Sequence, residues 1–218
     1  MERSAEKTVK ALRQLERYNP DLVEIRFDGM KSSSSISKIR SATNCALIAT
    51  NRSKKHGGGF VGPENRRIGT LMQAARAAFD YVDLELETKD VGSNIRGLKR
   101  SGTRVIVSYH NATATPSAVK LGIILSREKR AGADICKIVT TANSYADNLR
   151  CLTFLNQHAG ATRLVCFCMG KLGVASRVLS PLFGGHFTFA SSGVGSETAA
   201  GQIPITIMRA IHKELGAT

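Results

Sequence analysis

Seven short apolar segments rich in β-forming residues recur along the 218-residue chain, each separated from the next by a stretch of helical character. The strands are expected at Asp21 to Asp28, Cys45 to Arg52, Tyr81 to Glu87, Arg104 to His110, Ala133 to Val139, Arg163 to Met169 and His186 to Ser191. Helices are expected at about 5–17, 34–43, 64–79, 90–100, 116–131, 142–157, 171–182 and 200–215. Near-continuous apolar strands alternating with helices predict a parallel sheet covered by helices, either a closed barrel or a doubly wound sheet. Periodicity alone does not choose between them. No Gly-rich dinucleotide fingerprint or Walker loop follows any strand, which weakens the nucleotide-binding alternative. Eight helices with seven strands, opening on a helix, suit an α/β fold of the (β/α)8 TIM-barrel type whose first strand is missing from this chain. The length fits one sizeable core, so residues 1–218 are expected to form a single barrel domain.

The longest apolar runs, such as Arg163 to Met169, stop well short of a membrane span, and Met1 to Lys7 is too polar for a secretory signal. A soluble, cytoplasmic protein with no membrane partner is expected. Five cysteines fall in apolar segments without metal-ligand spacing, which points to reduced, buried thiols. Cys166 and Cys168 share a strand face and could approach a metal, but no third or fourth ligand lies nearby, so a core role is the better reading. The formal charge of +14, from 31 Lys+Arg against 17 Asp+Glu, raises nucleic acid as a partner. The positive residues are scattered, however, and no nucleic-acid-binding signature accompanies them. A basic surface that draws in an anionic small molecule is the more economical reading, with no nucleic acid bound.

In a barrel of this kind chemistry sits at the carboxyl ends of the strands, where the sequence places Glu24 and Arg26, Arg52, Asp83 and Glu85, His110, Lys137 and Met169. Lys137 interrupts an otherwise apolar strand. Burial disfavours the ammonium form and gives a free amine that can attack a ketone, although a lysine snorkelling from a strand edge would also account for it. Its mid-strand position favours the nucleophile. His110 directly precedes the polar loop Asn111 to Ser117, and an imidazole of ordinary pKa about 6.5 is the natural proton carrier near neutral pH. A hydrogen-bonded structural histidine is the bland alternative. Glu24 and Arg26 put opposite charges on one face, as a structural ion pair or as a clamp for hydroxyl and carboxylate groups. Gly201-Gln202-Ile203-Pro204, after a Gly/Ser-rich loop, suggests backbone held close to an anion at the start of the last helix.

Six runs in order across nearly the whole chain resemble the type I 3-dehydroquinate dehydratase family. They are Glu24-Ile25-Arg26-Phe27-Asp28, Arg52-Ser53-Lys54-Lys55 with Gly57-Gly58, Asp83-Leu84-Glu85-Leu86, Ser108-Tyr109-His110-Asn111, Gly132 to Ile138, and Met169 to Arg177, with a terminal Ala200-Gly201-Gln202. The resemblance implies a lyase of the shikimate pathway that needs no cofactor and no metal. It implies that Lys137 forms a Schiff base with 3-dehydroquinate and that His110 is the general acid/base. Arg177 and Gln202 would grip the substrate carboxylate, Glu24, Arg26 and Arg52 would bind ring hydroxyls, Thr198 would join the substrate-binding residues, and Met169 would line the pocket. Glu85 and His56 would be auxiliary, and a homodimer is the expected assembly.

Three departures from the family pattern stand out. The strand that opens the family's barrel is absent before residue 5. The loop Thr198-Ala199-Ala200-Gly201-Gln202 keeps a hydroxyl at Thr198 but lacks the usual proline, which should loosen it. His56 replaces the carboxylate that many members carry, leaving open how the His110 imidazole is oriented. Two alternatives follow: another Schiff-base barrel lyase, such as an aldolase, or a catalytically silent barrel that binds a metabolite or a partner.

Overall fold

A computed structural model of the chain describes residues 4–30, 36–193 and 197–216. Helix α1 (Ala5–Glu16) comes first, capped where the Ser4 hydroxyl accepts from the Lys7 amide. Then follow β1 (Leu22–Arg26), α2 (Ile36–Arg40), β2 (Ala46–Thr50), α3 (Glu64–Arg76), β3 (Tyr81–Glu85), α4 (Val91–Lys99), β4 (Arg104–His110), α5 (Ala118–Ala131), β5 (Ile135–Thr141), α6 (Tyr145–His158), β6 (Leu164–Met169), α7 (Val174–Leu179) and α8 (Ile205–Glu214). The six strands follow one another in sequence order across the sheet. The pairs β1–β2, β2–β3 and β5–β6 are parallel. Strand order without a reversal is the winding of a (β/α) barrel rather than of a doubly wound sheet, whose order turns back on itself.

The chain divides into two compact units, residues 1–107 with 131–134, and residues 108–130 with 135–218. In the first, Leu22 to Arg26 lie opposite Ala46 to Thr50, and Thr50 lies opposite Asp83. Alternation therefore puts Glu24, Arg26, Thr50, Asp83 and Glu85 on one face. The other face carries Ile25, Leu47, Ala49, Val82 and Leu84, all buried, beneath helices that contribute Leu12, Ile39, Leu71 and Ala75. In the second unit, Cys136 to Thr141 lie opposite Leu164 to Met169. Helix α6 starts from a capping box, Ser144 with Asp147, and buries Cys151, Leu152 and Leu155.

The expected seventh strand is a correction. His186 donates its amide to Leu164 O at 2.9 Å, but 187–190 run without ladder pairing and Ser191 forms only an isolated bridge to Pro204. Side chains take the backbone instead: Arg177 Nη1 donates to Phe189 O, and Thr188 Oγ1 donates to the Arg177 carbonyl. The remaining boundaries shift by a few residues, and the expected helix 171–182 is an α-turn flanked by two 3₁₀ segments. Residues 34 and 35 of the expected helix 34–43 lie outside the described residues, as do Met1 to Arg3.

Candidate active site

Strand β5 runs two residues beyond its expected end, to Thr141, which keeps Lys137 mid-strand, 4% exposed and opposite Val165. Lys137, Val139 and Thr141 share a face with Val165, Phe167 and Met169. The opposite face is a thiol–hydroxyl layer in which Thr140 Oγ1 meets Cys151 and Cys168, and the two sulfurs approach to 3.4 Å. Neighbouring thiols and burial hold the pKa values of Cys151 and Cys168 well above the ordinary thiol range, and burial pushes Cys136 up to about 12. These are core residues, as expected. His110 closes β4, half-buried. The next residue ties that end to β5 beyond Lys137: Asn111 N donates to Val139 O and Thr141 Oγ1 donates to Asn111 O, both at 2.9 Å.

Two basic side chains rest on one aromatic pair. Lys137 Nζ lies 4.3 Å from the centre of the Phe189 ring, and the Arg177 guanidinium lies 4.4 Å from that of Phe167. The two rings are 6.2 Å apart and tilted by 58°. Arg177, on α7, is 1% exposed. Its hydrogen bonds are long, 3.5 Å to Phe189 O and 3.4 Å to Ala200 O, and its Nε has no partner among the described residues. Burial pulls its pKa from the ordinary guanidinium range down to about 10, and no described carboxylate counters that pull. A buried guanidinium without an acid beside it is a standing site for an anion.

The loop before α8 comes to the same place. Gly170 N and Arg177 Nη2 both donate to Ala200 O. Gly201 has φ +78°, and a Cβ there would lie 2.4 Å from Gly170 O, so only glycine fits the approach. The Gln202 carboxamide oxygen accepts from Thr198 N at 2.7 Å and from the Thr198 hydroxyl at 3.3 Å. The loop expected to be loose without its proline is thus tied at both ends. Gln202 spends its oxygen on the loop, which turns its amide NH2 into the end that can meet a ligand. Met169 ends β6 beside this turn, half-buried.

In the first unit the expected residues form a dense ionic lattice. Glu24 and Arg26 attract one another through their charges, but the close partner of Arg26 is Asp28, in a bidentate pair with both contacts at 2.8 Å, while Glu24 accepts from the Thr50 hydroxyl at 2.7 Å. Two residues apart on a strand, Glu24 and Arg26 do share a face, but the 3₁₀ turn after β1 brings Asp28 back onto the guanidinium. Burial opposes ionisation of Asp28, yet the Arg26 fork and the amides of Gly59 and Arg52 outweigh it and hold the carboxyl below its ordinary range. Arg52, 4% exposed, donates to Asp83 at 2.8 Å and lies 3.7 Å from Glu85. Glu85 also accepts from Ser53 N and from Arg67, a buried arginine that the strand-end reasoning missed. His56 ends a 3₁₀ turn, Lys54–His56, in the loop that follows β2. That loop folds back tightly, because a Cβ on Gly58 would sit 2.1 Å from Arg52 O.

Among the described residues no helix is long and apolar enough to cross a membrane, and no cluster of three or more His, Cys, Asp or Glu side chains could hold a metal. A buried amine on an aromatic bed, a histidine at the neighbouring strand end and an anion-seeking guanidinium suit covalent chemistry on a ketone that carries a carboxylate.

Comparison with known proteins agrees. A family model described as type I 3-dehydroquinase matches residues 1–218. The 3-dehydroquinate dehydratase of Dehalococcoides mccartyi is 37% identical over 169 residues, 78% of this chain and 75% of that protein. That of Desulfotalea psychrophila is 36% identical over 197 residues, 89% of this chain and 87% of its own. Among solved structures, the 3-dehydroquinate dehydratase of Geobacillus kaustophilus is similar with a TM-score of 0.90 at 26% identity, covering 97% of this chain and 87% of that one.

Proposed function

The chain belongs to the type I 3-dehydroquinase family and so dehydrates 3-dehydroquinate through a lysine Schiff base; we propose that Lys137 is that lysine and His110 its acid/base partner. The Lys137 amine adds to the ring ketone and water leaves as the iminium forms. The iminium draws electrons from the adjacent C–H bond, whose proton passes to His110. The C–O bond to the departing hydroxyl then breaks, and His110 returns the proton so that water leaves. Hydrolysis of the imine releases 3-dehydroshikimate and restores the amine.

The observation that carries this reading is Arg177, buried without an acidic partner among the described residues and leaning on the same pair of rings as Lys137. The substrate carboxylate supplies the missing anion, with the Gln202 amide as second donor and Thr198 holding the Gln202 side chain in place. Glu24, Arg26 and Arg52 bind ring hydroxyls, Met169 lines the pocket, and Glu85 and His56 assist. The reading takes the chain as one catalytic barrel domain in the cytoplasm, assembled as a homodimer and without nucleic acid as a partner. Borohydride added with substrate should reduce the iminium and leave a stable adduct on the peptide spanning Cys136 and Lys137. An adduct elsewhere, or one undiminished in Lys137→Ala, would sink the assignment.

A further inference from the structure

We infer that Arg67, on the first turn of α3, is a positioning residue that sets the grip of Arg52 on the substrate by taking Glu85 away from it. The inference rests on the reading of Arg52 as a substrate contact. Arg67 is 1% exposed and uses its whole fork. Nε and Nη2 clasp Glu64 at 2.8 and 2.6 Å, Nη2 also reaches the Thr88 hydroxyl at 2.9 Å, and Nη1 donates to Asn51 O at 3.1 Å and to Glu85 Oε2. Five donors thus meet five acceptors, a set that a lysine cannot reproduce.

The consequence falls on Arg52. Asp83 and Glu85, two apart on β3, present two buried carboxylates on the face where Arg52 lies. Asp83 takes the short contact of 2.8 Å, whereas Glu85 stays at 3.7 Å because its other oxygen belongs to Arg67 and its near oxygen also accepts from Ser53 N at 3.2 Å. Without Arg67, Glu85 would be a buried carboxylate short of a counter-charge, and the nearest cation is Arg52. Glu85 would then draw in the guanidinium that the ring hydroxyls need. Arg67 also holds Asn51 O, one residue before Arg52, so the same side chain fixes the backbone from which Arg52 departs.

Full-length wild type, Arg67→Lys and Glu64→Gln are compared by enone absorbance with 3-dehydroquinate, well below the melting temperature of each. Product binding is followed in parallel by calorimetry. For Arg67→Lys, KM and the product dissociation constant should rise roughly tenfold, about the worth of one charge-assisted hydrogen bond, with kcat changing less than KM. Glu64→Gln, which loosens the fork from its half-exposed end, should move KM the same way by less. A purely structural role would lower the melting temperature and leave KM alone. Unchanged KM and product affinity in both variants overturn the inference, as does a fall in kcat at constant KM. Glu64→Gln decides by itself if Arg67→Lys does not fold. Wild type that neither turns over nor binds product overturns the dehydratase reading and this inference together, whereas an active wild type with indifferent variants overturns only the latter.

Discussion

Replacing Arg177 by methionine should make the free protein more stable and a far poorer binder of substrate. A guanidinium whose pKa falls from its ordinary range to about 10 on burial carries about 3 kcal/mol of unfavourable desolvation in the folded state. Stacking on Phe167 offsets about 0.5–2 kcal/mol of that, and the two long contacts to carbonyl oxygens add little. A methionine of similar length fills the space without the charge, so a net gain of about 1–2 kcal/mol is expected, or several degrees in melting temperature for a chain of this size. The sign with pH follows from a depressed basic pKa. The penalty is complete below about pH 10 and is relieved only as pH rises beyond it towards the ordinary guanidinium range, so the difference between wild type and variant should be flat from about pH 6 to 8. Binding moves the other way: losing a bidentate, charge-assisted pair worth about 1.5–3 kcal/mol per bond should raise KM at least ~100-fold. Arg177→Lys, a point charge in place of a fork, should fall between. Thermal melts with and without product, together with enone kinetics, test both halves. A Met variant that melts below wild type and keeps its KM within about twofold would refute the reasoning, since the assigned desolvation and carboxylate contact would both be wrong.

His110→Ala should slow both imine formation and elimination, with loss of a general acid/base costing roughly 10²–10⁴-fold, whereas His56→Ala should keep substantial activity; equal loss in both, measured across pH with the fold verified by circular dichroism, would make His56 a catalytic group. Asp28→Asn should cost about 1–3 kcal/mol at neutral pH by breaking the fork with Arg26. Because the folded Asp28 carboxyl is held below 3.8, its contribution is complete above that value and lost as pH falls through its lower folded value, so the melting curves of wild type and variant should converge in acid.

The parallel α/β pattern and the six strands through Met169 were legible because parallel strands buried on both faces read as continuous apolar runs, and Lys137 stood out as the charge inside one of them; the choice of a barrel over a doubly wound sheet came from the element count and the family resemblance instead. His186 to Ser191 read as a strand for a different reason: Phe187 and Phe189 alternate with polar residues. What removed it was non-local, since Arg177 and Thr188 bond to one another's part of the chain across eleven residues and more. Arg67 was illegible at the strand ends because it is not on a strand. A signal existed nonetheless, for Arg67 recurs with Leu71, Ala74 and Ala75 on the buried stripe of α3, three residues after Glu64, while its neighbour Arg66 is exposed. The addition of Asp28 as the bidentate partner of Arg26 depended on a turn that no strand periodicity encodes.

Phe167 and Phe189 have no proton to give and no charge to offer, yet Lys137 leans on one ring, Arg177 on the other, and the rings on each other. A lineage that altered either phenylalanine would disturb the seat of the amine and the seat of the guanidinium in a single step, and neither fault could be repaired where the change occurred. A substitution on the strand ring should therefore be tolerated best beside a compensating one on the loop ring, as a double-mutant cycle at Phe167 and Phe189 would show.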